Sequence, residues 1–495
     1  MSRKRKLLLN TSTGILKQLV TVICGFILPR YMLLFFGSSV NGLISSITHF
    51  LSIISLLDMG VGAVIQANLY KPLATKNYDQ LNLILKSSER FFRRLAYVFI
   101  VYIIILCSIF PFMIRFDLWY TISLLLIISV STFAQYYFGM TYQLLLNADQ
   151  RSYVQFILSI GTIILNTIFA VSLMKMGASV HIVKLMTAVV FILRPLGQIV
   201  YVRKHYRIDK NINLVGEPIK QKWNGFSQHL ASVVCQNIDV IVLTLFSSLS
   251  NVSIYSVYFN VTNGVQQIIM AASTGLEAFF GNMIANDERE KLIKTFDVLE
   301  WIFHNVVTFI FSVTSITIVP FISVYTRGIA DANYIAPLFG VLLVAAYGVE
   351  CLRVPYFRVI KAAGHFKETQ NGAFISAALN IIITVFLVFN FGLIGAAIGT
   401  LVAMVYHTFY FVWYLRKNIL QVSIFNFIRY VVTDLLVATV SYLMTSGLSL
   451  SDNSYKSWLI LAVEVTIVVI FLIVIVNILV YRERVKELYS LLENR

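Results

Sequence analysis

MSRKRKLLLNTSTGILKQLVTVICGFILPRY, residues 1–31, places four basic residues ahead of an apolar run that continues to Pro29 and Arg30. A run of that length crosses ~30 Å of hydrocarbon as a single helix. Its charge order is that of a signal peptide, but no small-residue cleavage site precedes Pro29, so it reads as an uncleaved first transmembrane helix. The same pattern recurs along the chain. Of 495 residues, 58% are hydrophobic and 13% charged, with mean hydropathy +0.80, roughly half the charged share of a soluble domain. The bilayer is therefore the solvent.

Apolar windows bounded by charge clusters give fourteen spans, centred near residues 20, 54, 103, 132, 164, 191, 237, 266, 308, 345, 379, 404, 435 and 469. With both termini and the even-numbered connections on one side, that side holds 29 of the 39 Lys and Arg. The other holds only Arg115, Lys175, Arg327 and Lys456. Positive-inside then puts both termini in the cytoplasm. The net charge of +16 is this orientation signal, so no nucleic-acid partner is expected. Cys24, Cys107, Cys235 and Cys351 sit singly in apolar segments, which gives neither a disulfide framework nor a metal site.

Several landmarks recur 214 to 215 residues apart: Asn10 with Asn224, Gly60 with Gly275, Ala148 with Ala363, Asn166 with Asn380, and Gly177 with Gly392. An even number of spans separates the copies, so the repeat is parallel, about an axis along the membrane normal. The expected fold is an all-α polytopic membrane protein with two six-helix lobes, residues 1–205 and 223–418. A cytoplasmic loop, 206–222, joins the lobes, and 419–495 adds two further helices and a tail.

Polar groups at bilayer depth cost several kcal/mol unless they face protein or water, so each is a functional candidate. Asn10, Thr13, Lys17 and Thr21 share one helical stripe, with Lys17 roughly 15 Å from the basic end. Lys17 either faces a central cavity or closes a buried ion pair with Asp58 or Asp239. Arg30 falls about 220° round an ideal helix from Lys17, so sharing that cavity requires a kink at Gly25 or Pro29; otherwise it snorkels outward. His229, Ser232, Gln236 and Asp239 form a second stripe, and Asn260, Asn263, Gln267, Thr274 and Glu277 a third. Their carboxylates favour a lumen. Gln155, Ser159, Thr162 and Asn166 read as interhelical glue. Glu350 and Arg353, at i and i+3, pair with each other, and Arg194 precedes Pro195 nearer the cytoplasm. G-x-S-x-G, H-E-x-x-H and phosphate-loop motifs are all missing, so no enzyme activity and no catalytic residues are expected.

Asn10-Thr11-Ser12, Leu28-Pro29-Arg30-Tyr31, Gly37, Asn41-Gly42-Leu43 and Leu56-Leu57-Asp58-Met59-Gly60 resemble the opening of bacterial polysaccharide-unit flippases. So do Leu146 to Arg151 and Arg358 to Gly364. These flippases serve O-antigen and capsule synthesis within the multidrug, oligosaccharidyl-lipid and polysaccharide exporter superfamily. The resemblance implies an undecaprenyl-diphosphate-linked repeat unit flipped by alternating access through a cationic lumen, with Arg30 and Asp58 on the matching motif. Position adds Lys17, Arg194 and Arg353 as substrate-binding cations, and Asp239, Glu277, Glu350, Gln236 and Asn263 as polar or ion-coupling groups. No cofactor is expected beyond H+ or Na+ coupling. Expected partners are the lipid-linked oligosaccharide, membrane lipids, and a polysaccharide polymerase with its chain-length machinery. The chain itself is expected to be a monomer. The rival reading is an ion-coupled multidrug or organic-cation antiporter, whose lumen would be dominated by carboxylates.

Overall fold

Hydrocarbon offers no hydrogen bonds to a free backbone, so a spanning chain must satisfy its own amides, and helices do so within one segment. The computed structural model describes residues 3–58, 61–114, 116–209 and 226–484, and all regular structure among them is helical. The first helices are α1 (Arg3–Ser52), α2 (Val61–Thr75), α3 (Tyr78–Ile114) and α4 (Leu118–Ala134), the last running through a π-helical turn into α5 (Met140–Ala148). Then come α6 (Ser152–Lys175), α7 (Val180–His205), α8 (Phe226–Phe246), α9 (Leu249–Ala272) and α10 (Leu276–Ala285). α11 (Arg289–Tyr325), α12 (Pro337–Ala362), α13 (Phe366–Phe391), α14 (Leu393–Tyr414), α15 (Phe425–Thr445) and α16 (Tyr455–Val480) complete the chain.

Among the described residues, twelve helical segments are long and apolar enough to cross a membrane. The protein is thus an all-α, multi-pass membrane protein. The two expected spans outside that twelve take other forms. The one near 237 is α8, whose apolar part, Gln236–Phe246, is short. The one near 54 is interrupted: it begins within α1 beyond Gly37, tightens into a 3-10 turn at Ile53–Asp58, and resumes as α2.

The kink that Arg30 would need at Gly25 or Pro29 to share a cavity with Lys17 is not where α1 leaves helical geometry; that residue is Gly37, at φ 80° and ψ 174°. A side chain there would carry a left-handed penalty of about 1–2 kcal/mol that glycine escapes. Pro29 remains inside the helix.

Packing divides the chain into two compact units, Met1–Ser253 and Ile254–Arg495. The core of the first includes Leu43, Ile47, Phe92, Phe99, Phe110 and Leu145; that of the second gathers Phe280, Phe296, Tyr356, Phe411 and Phe427. Polar contacts fasten α8 to α1: Ser46 and Thr244 hydroxyls lie 2.7 Å apart, and His49 and Ser52 both donate to Asn237 Oδ1, at 2.9 and 2.6 Å. Such bonds average about 0.6 kcal/mol in a membrane. Gly42 brings α1 against the start of α9, since a Cβ there would lie 1.8 Å from the Leu249 carbonyl oxygen. In α16 the buried residues Leu461, Val465 and Val469 recur every four residues, while Ile460, Val463, Ile467 and Phe471 are exposed. Both faces are apolar, so packing alone decides which one meets lipid.

The internal repeat is visible in the turns. Gln150 and Gly364, 214 positions apart, both have positive φ. Around them the same three backbone bonds recur: Asp149 to Leu145, Gln150 to Asn147 and Arg151 to Leu146 match Ala363 to Val359, Gly364 to Lys361 and His365 to Ile360. This is the helix-ending motif in which a left-handed residue folds the chain back on the last turn. Asn166 and Asn380 are both buried, and Gly177 and Gly392 both have positive φ. Asn224, Gly60 and most of the 206–222 loop lie outside the described residues.

Candidate functional site

Lys17, Phe156 and Arg194 come together where α6 packs against both α1 and α7. The Lys17 ammonium sits 5.5 Å from the centroid of Phe156. Arg194 donates from Nε to Thr162 Oγ1 at 2.6 Å, and its guanidinium lies 4.4 Å from the Phe191 ring. Neither cation has an ion pair among the described residues. Each acts electrostatically on the same local space, with like sign. A cation at mid-membrane costs about 2.5–3.5 kcal/mol, and an aromatic face returns about 0.5–2 kcal/mol. The remainder favours water or an anion beside these two groups.

The second unit treats its buried charge differently. Arg353 Nη2 lies 3.0 Å from Glu350 Oε1, its Nη1 donates to His407 Nδ1, and Gln266 Nε2 donates to Glu350 Oε2 at 2.7 Å. α9, α12 and α14 supply this chain of contacts. Glu277 is paired with Lys361 at 3.0 Å and Arg358 at 3.7 Å. It does not continue the stripe of Asn263, because α9 ends at Ala272 and Glu277 falls in the first turn of α10. Ser273 and Thr274 bond their hydroxyls back to Met270 and Ala271 carbonyls, the local competition that ends helices. Asn263 accepts a 3.4 Å bond from Gln267.

Asp239 and Gln236 lie on α8, and Arg30 on α1. Asp239 is buried within the first unit, 3% exposed, while Gln236, three residues earlier, is exposed. Arg30 is half-buried on α1. The side chains of Asp58, His229 and Ser232 lie outside the described residues.

Two segments of the motif pattern meet at the basic end of the first unit. Asn10 bridges the turn at 150–153, donating to the Gln150 carbonyl at 3.0 Å and accepting from Tyr153 N at 2.8 Å. Asp149 gathers Lys6 at 2.9 Å, Arg151 at 2.7 Å and the Tyr206 hydroxyl at 2.5 Å. Burial, then the bond to Asp149, pushes the Tyr206 phenol up. These residues latch α1 to the turn between α5 and α6.

Sequence reasoning missed three groups. Gln266, not its neighbour Gln267, reaches Glu350, a choice that packing makes between residues 100° apart. His407 had no stripe to mark it. Arg416, counted only among the cations of the cytoplasmic side, is 2% exposed in the π-helical extension of α14, 2.5 Å from Glu300 Oε2, whose other oxygen accepts from Tyr356. Glu300, four residues ahead of His304 where the charged start of α11 gives way to its apolar run, was the available signal.

Over 97% of its length the chain superposes on all of the lipid II flippase MurJ in its inward closed conformation, with TM-score 0.72 and 15% identity. The chain shares its fold with that protein. An inward-facing multidrug resistance MATE transporter of the MOP superfamily matches 82% of the chain and 95% of its own, at TM-score 0.58 and 12% identity. A MATE protein in complex with MaD3S matches 85% and 100%, at TM-score 0.57 and 13% identity. The MOP-type fold is therefore one shared with transporters. No family model and no curated protein sequence matches the chain.

Proposed function

We propose that the protein is a flippase that moves undecaprenyl-diphosphate-linked oligosaccharide units from the inner to the outer leaflet of a bacterial cytoplasmic membrane, for surface polysaccharide synthesis. The observation that carries this reading is the pair Lys17 and Arg194, set within the spans without an acid partner among the described residues. A diphosphate headgroup loses many kcal/mol of hydration on leaving water, and two unneutralised cations offset part of that loss. Arg is well shaped to grip phosphate oxygens in pairs. The likeness in fold to a lipid II flippase over nearly the whole chain supports a cargo whose tail stays in lipid while its head crosses. Alternating access is the expected route, with both termini cytoplasmic.

Arg30 and Arg353 complete the proposed cation set, and Asp58, Asp239, Glu277 and Glu350 the proposed titrating or ion-coupling groups. Of these, Glu350 and Arg353 neutralise each other at rest, so Arg353 reaches cargo only after that pair opens.

The test is complementation of a strain deleted for the gene. Lys17→Ala should leave surface polysaccharide depleted and lipid-linked intermediate accumulating on the inner leaflet. Normal polysaccharide with no accumulation rules out Lys17 as a cargo cation. Drug extrusion by the same strain at wild-type Lys17 would favour the antiporter reading instead.

A further inference from the structure

A cavity of about 890 Å³ opens between α3, α7 and the π-turn joining α4 to α5, wholly within the first unit. Its wall carries the cations Lys86, Arg90, Arg93, Arg94 and Arg203 against the acids Glu89 and Asp209. Glu89 is already engaged, accepting from the Tyr142 hydroxyl at 2.8 Å and lying 3.5 Å from Arg93. Arg90, Arg94 and Arg203 are exposed and have no ion pair among the described residues.

The helices around this cavity change character at one level. Along α3 the cations end at Arg94, and from Tyr97 to Ile105 the exposed side chains are aromatic or aliphatic, with Val98, Val101 and Ile104 among them. α7 runs the same transition in reverse: Leu193, Leu196 and Val200 are exposed, then Arg203. Arg94 and Tyr97 are three residues apart, about 4.5 Å along the axis, and so are Val200 and Arg203. Two helices thus pass from lipid-compatible to basic surface at the mouth of a single cavity. That is where a water–hydrocarbon boundary belongs. Aromatic rings stand at the boundary too, with Arg93 5.3 Å from the Tyr137 centroid and Tyr97 edge-on to the same ring.

We infer that this cavity holds the phosphate headgroup of an anionic glycerophospholipid. Arg90, Arg94 and Arg203 meet the phosphate, and the acyl chains lie along Tyr97, Leu196 and Val200. The volume far exceeds one phosphate and leaves room for the glycerol. Basic pockets between transmembrane helices on the side marked as cytoplasmic by the positive-inside pattern suit such headgroups. The site lies apart from Lys17 and Arg194, and the inference does not depend on what the protein transports.

The experiment measures lipid binding by purified full-length protein, by native mass spectrometry from detergent supplemented with phosphatidylglycerol or with phosphatidylcholine. Wild type should retain phosphatidylglycerol in preference to phosphatidylcholine. Each of Arg90→Ala, Arg94→Ala and Arg203→Ala should weaken that binding about fivefold, and the triple variant on the order of a hundredfold. Lys417→Ala, an exposed cation elsewhere, should leave it unchanged. All three arginines are exposed, so the variants should stay monodisperse; if the triple variant does not, the single variants decide. Equal affinity in wild type and variants, or no preference for phosphatidylglycerol, overturns the inference. So does arginine-dependent retention of undecaprenyl diphosphate with no retention of phosphatidylglycerol, which would give the cavity to the cargo.

Discussion

Cations deep within the spans are held in opposite ways in the two units, whereas nearer the basic end both units pair theirs, as Lys6 and Arg151 do with Asp149. In the first, Lys17 and Arg194 rest on aromatic rings and a threonine hydroxyl, with no carboxylate in reach among the described residues. In the second, Arg353, Arg358, Lys361 and Arg416 are each paired with Glu350, Glu277 or Glu300. The same residue types therefore carry different meanings. A paired cation is part of the scaffold, because removing its acid strands a charge in a poor solvent. An unpaired one is retained at a cost to stability, which is what a ligand-binding role demands.

The contrast can be broken most easily where charge is most buried. Glu300→Gln should strand Arg416 and cost about 3–5 kcal/mol, read as a fall in melting temperature or in the yield of folded protein. A variant as stable as wild type would mean that the pair is not structural. Glu350→Gln should cost less, about 1–3 kcal/mol, since Gln266 and His407 still bond to the site. Restored stability in Glu350→Gln with Arg353→Met would confirm the coupling, and strictly additive losses would deny it. At the basic end, Asp149→Asn should cost about 1–2 kcal/mol, because three donors lose a charged acceptor in a partly buried setting. Smallest of all, Lys17→Gln should change stability by no more than about 0.5 kcal/mol, or raise it, since Lys17 has no acid partner to lose and a like charge nearby. A large loss there would place Lys17 in the scaffold after all.

Much of the architecture followed from periodicity and charge. The helices near 103, 164, 379 and 469 are long, predominantly apolar runs, and helix is the structure that suits such runs in lipid. The repeat could be read because like residues recur at a near-constant spacing, Asn166 with Asn380 and Gly177 with Gly392 among them. The Gly37 break was harder to see. Pro29 is the more conspicuous helix breaker by type, yet a helix in lipid tolerates proline when its neighbours absorb the lost bond. Glu277 was misassigned to a continuous stripe because ideal-helix geometry was carried across Ser273, Thr274 and Gly275. Pairing partners lay furthest from view. Glu300 and Arg416 are 116 positions apart, and no local pattern links them; only packing of α11 against the end of α14 does. Lys17 and Arg194 were both nominated, but their proximity and the absence of an acid between them emerged only in three dimensions.

Translocation by the purified protein tests the central claim most directly. In proteoliposomes loaded with a fluorescent undecaprenyl-diphosphate-linked sugar, the initial rate of leaflet exchange is compared for wild type, Lys17→Gln, Arg194→Gln and Lys17→Arg, at matched amounts of folded protein. The account predicts at least a tenfold slower rate for both glutamine variants and substantial activity for Lys17→Arg. Equal rates in wild type and both glutamine variants would contradict it.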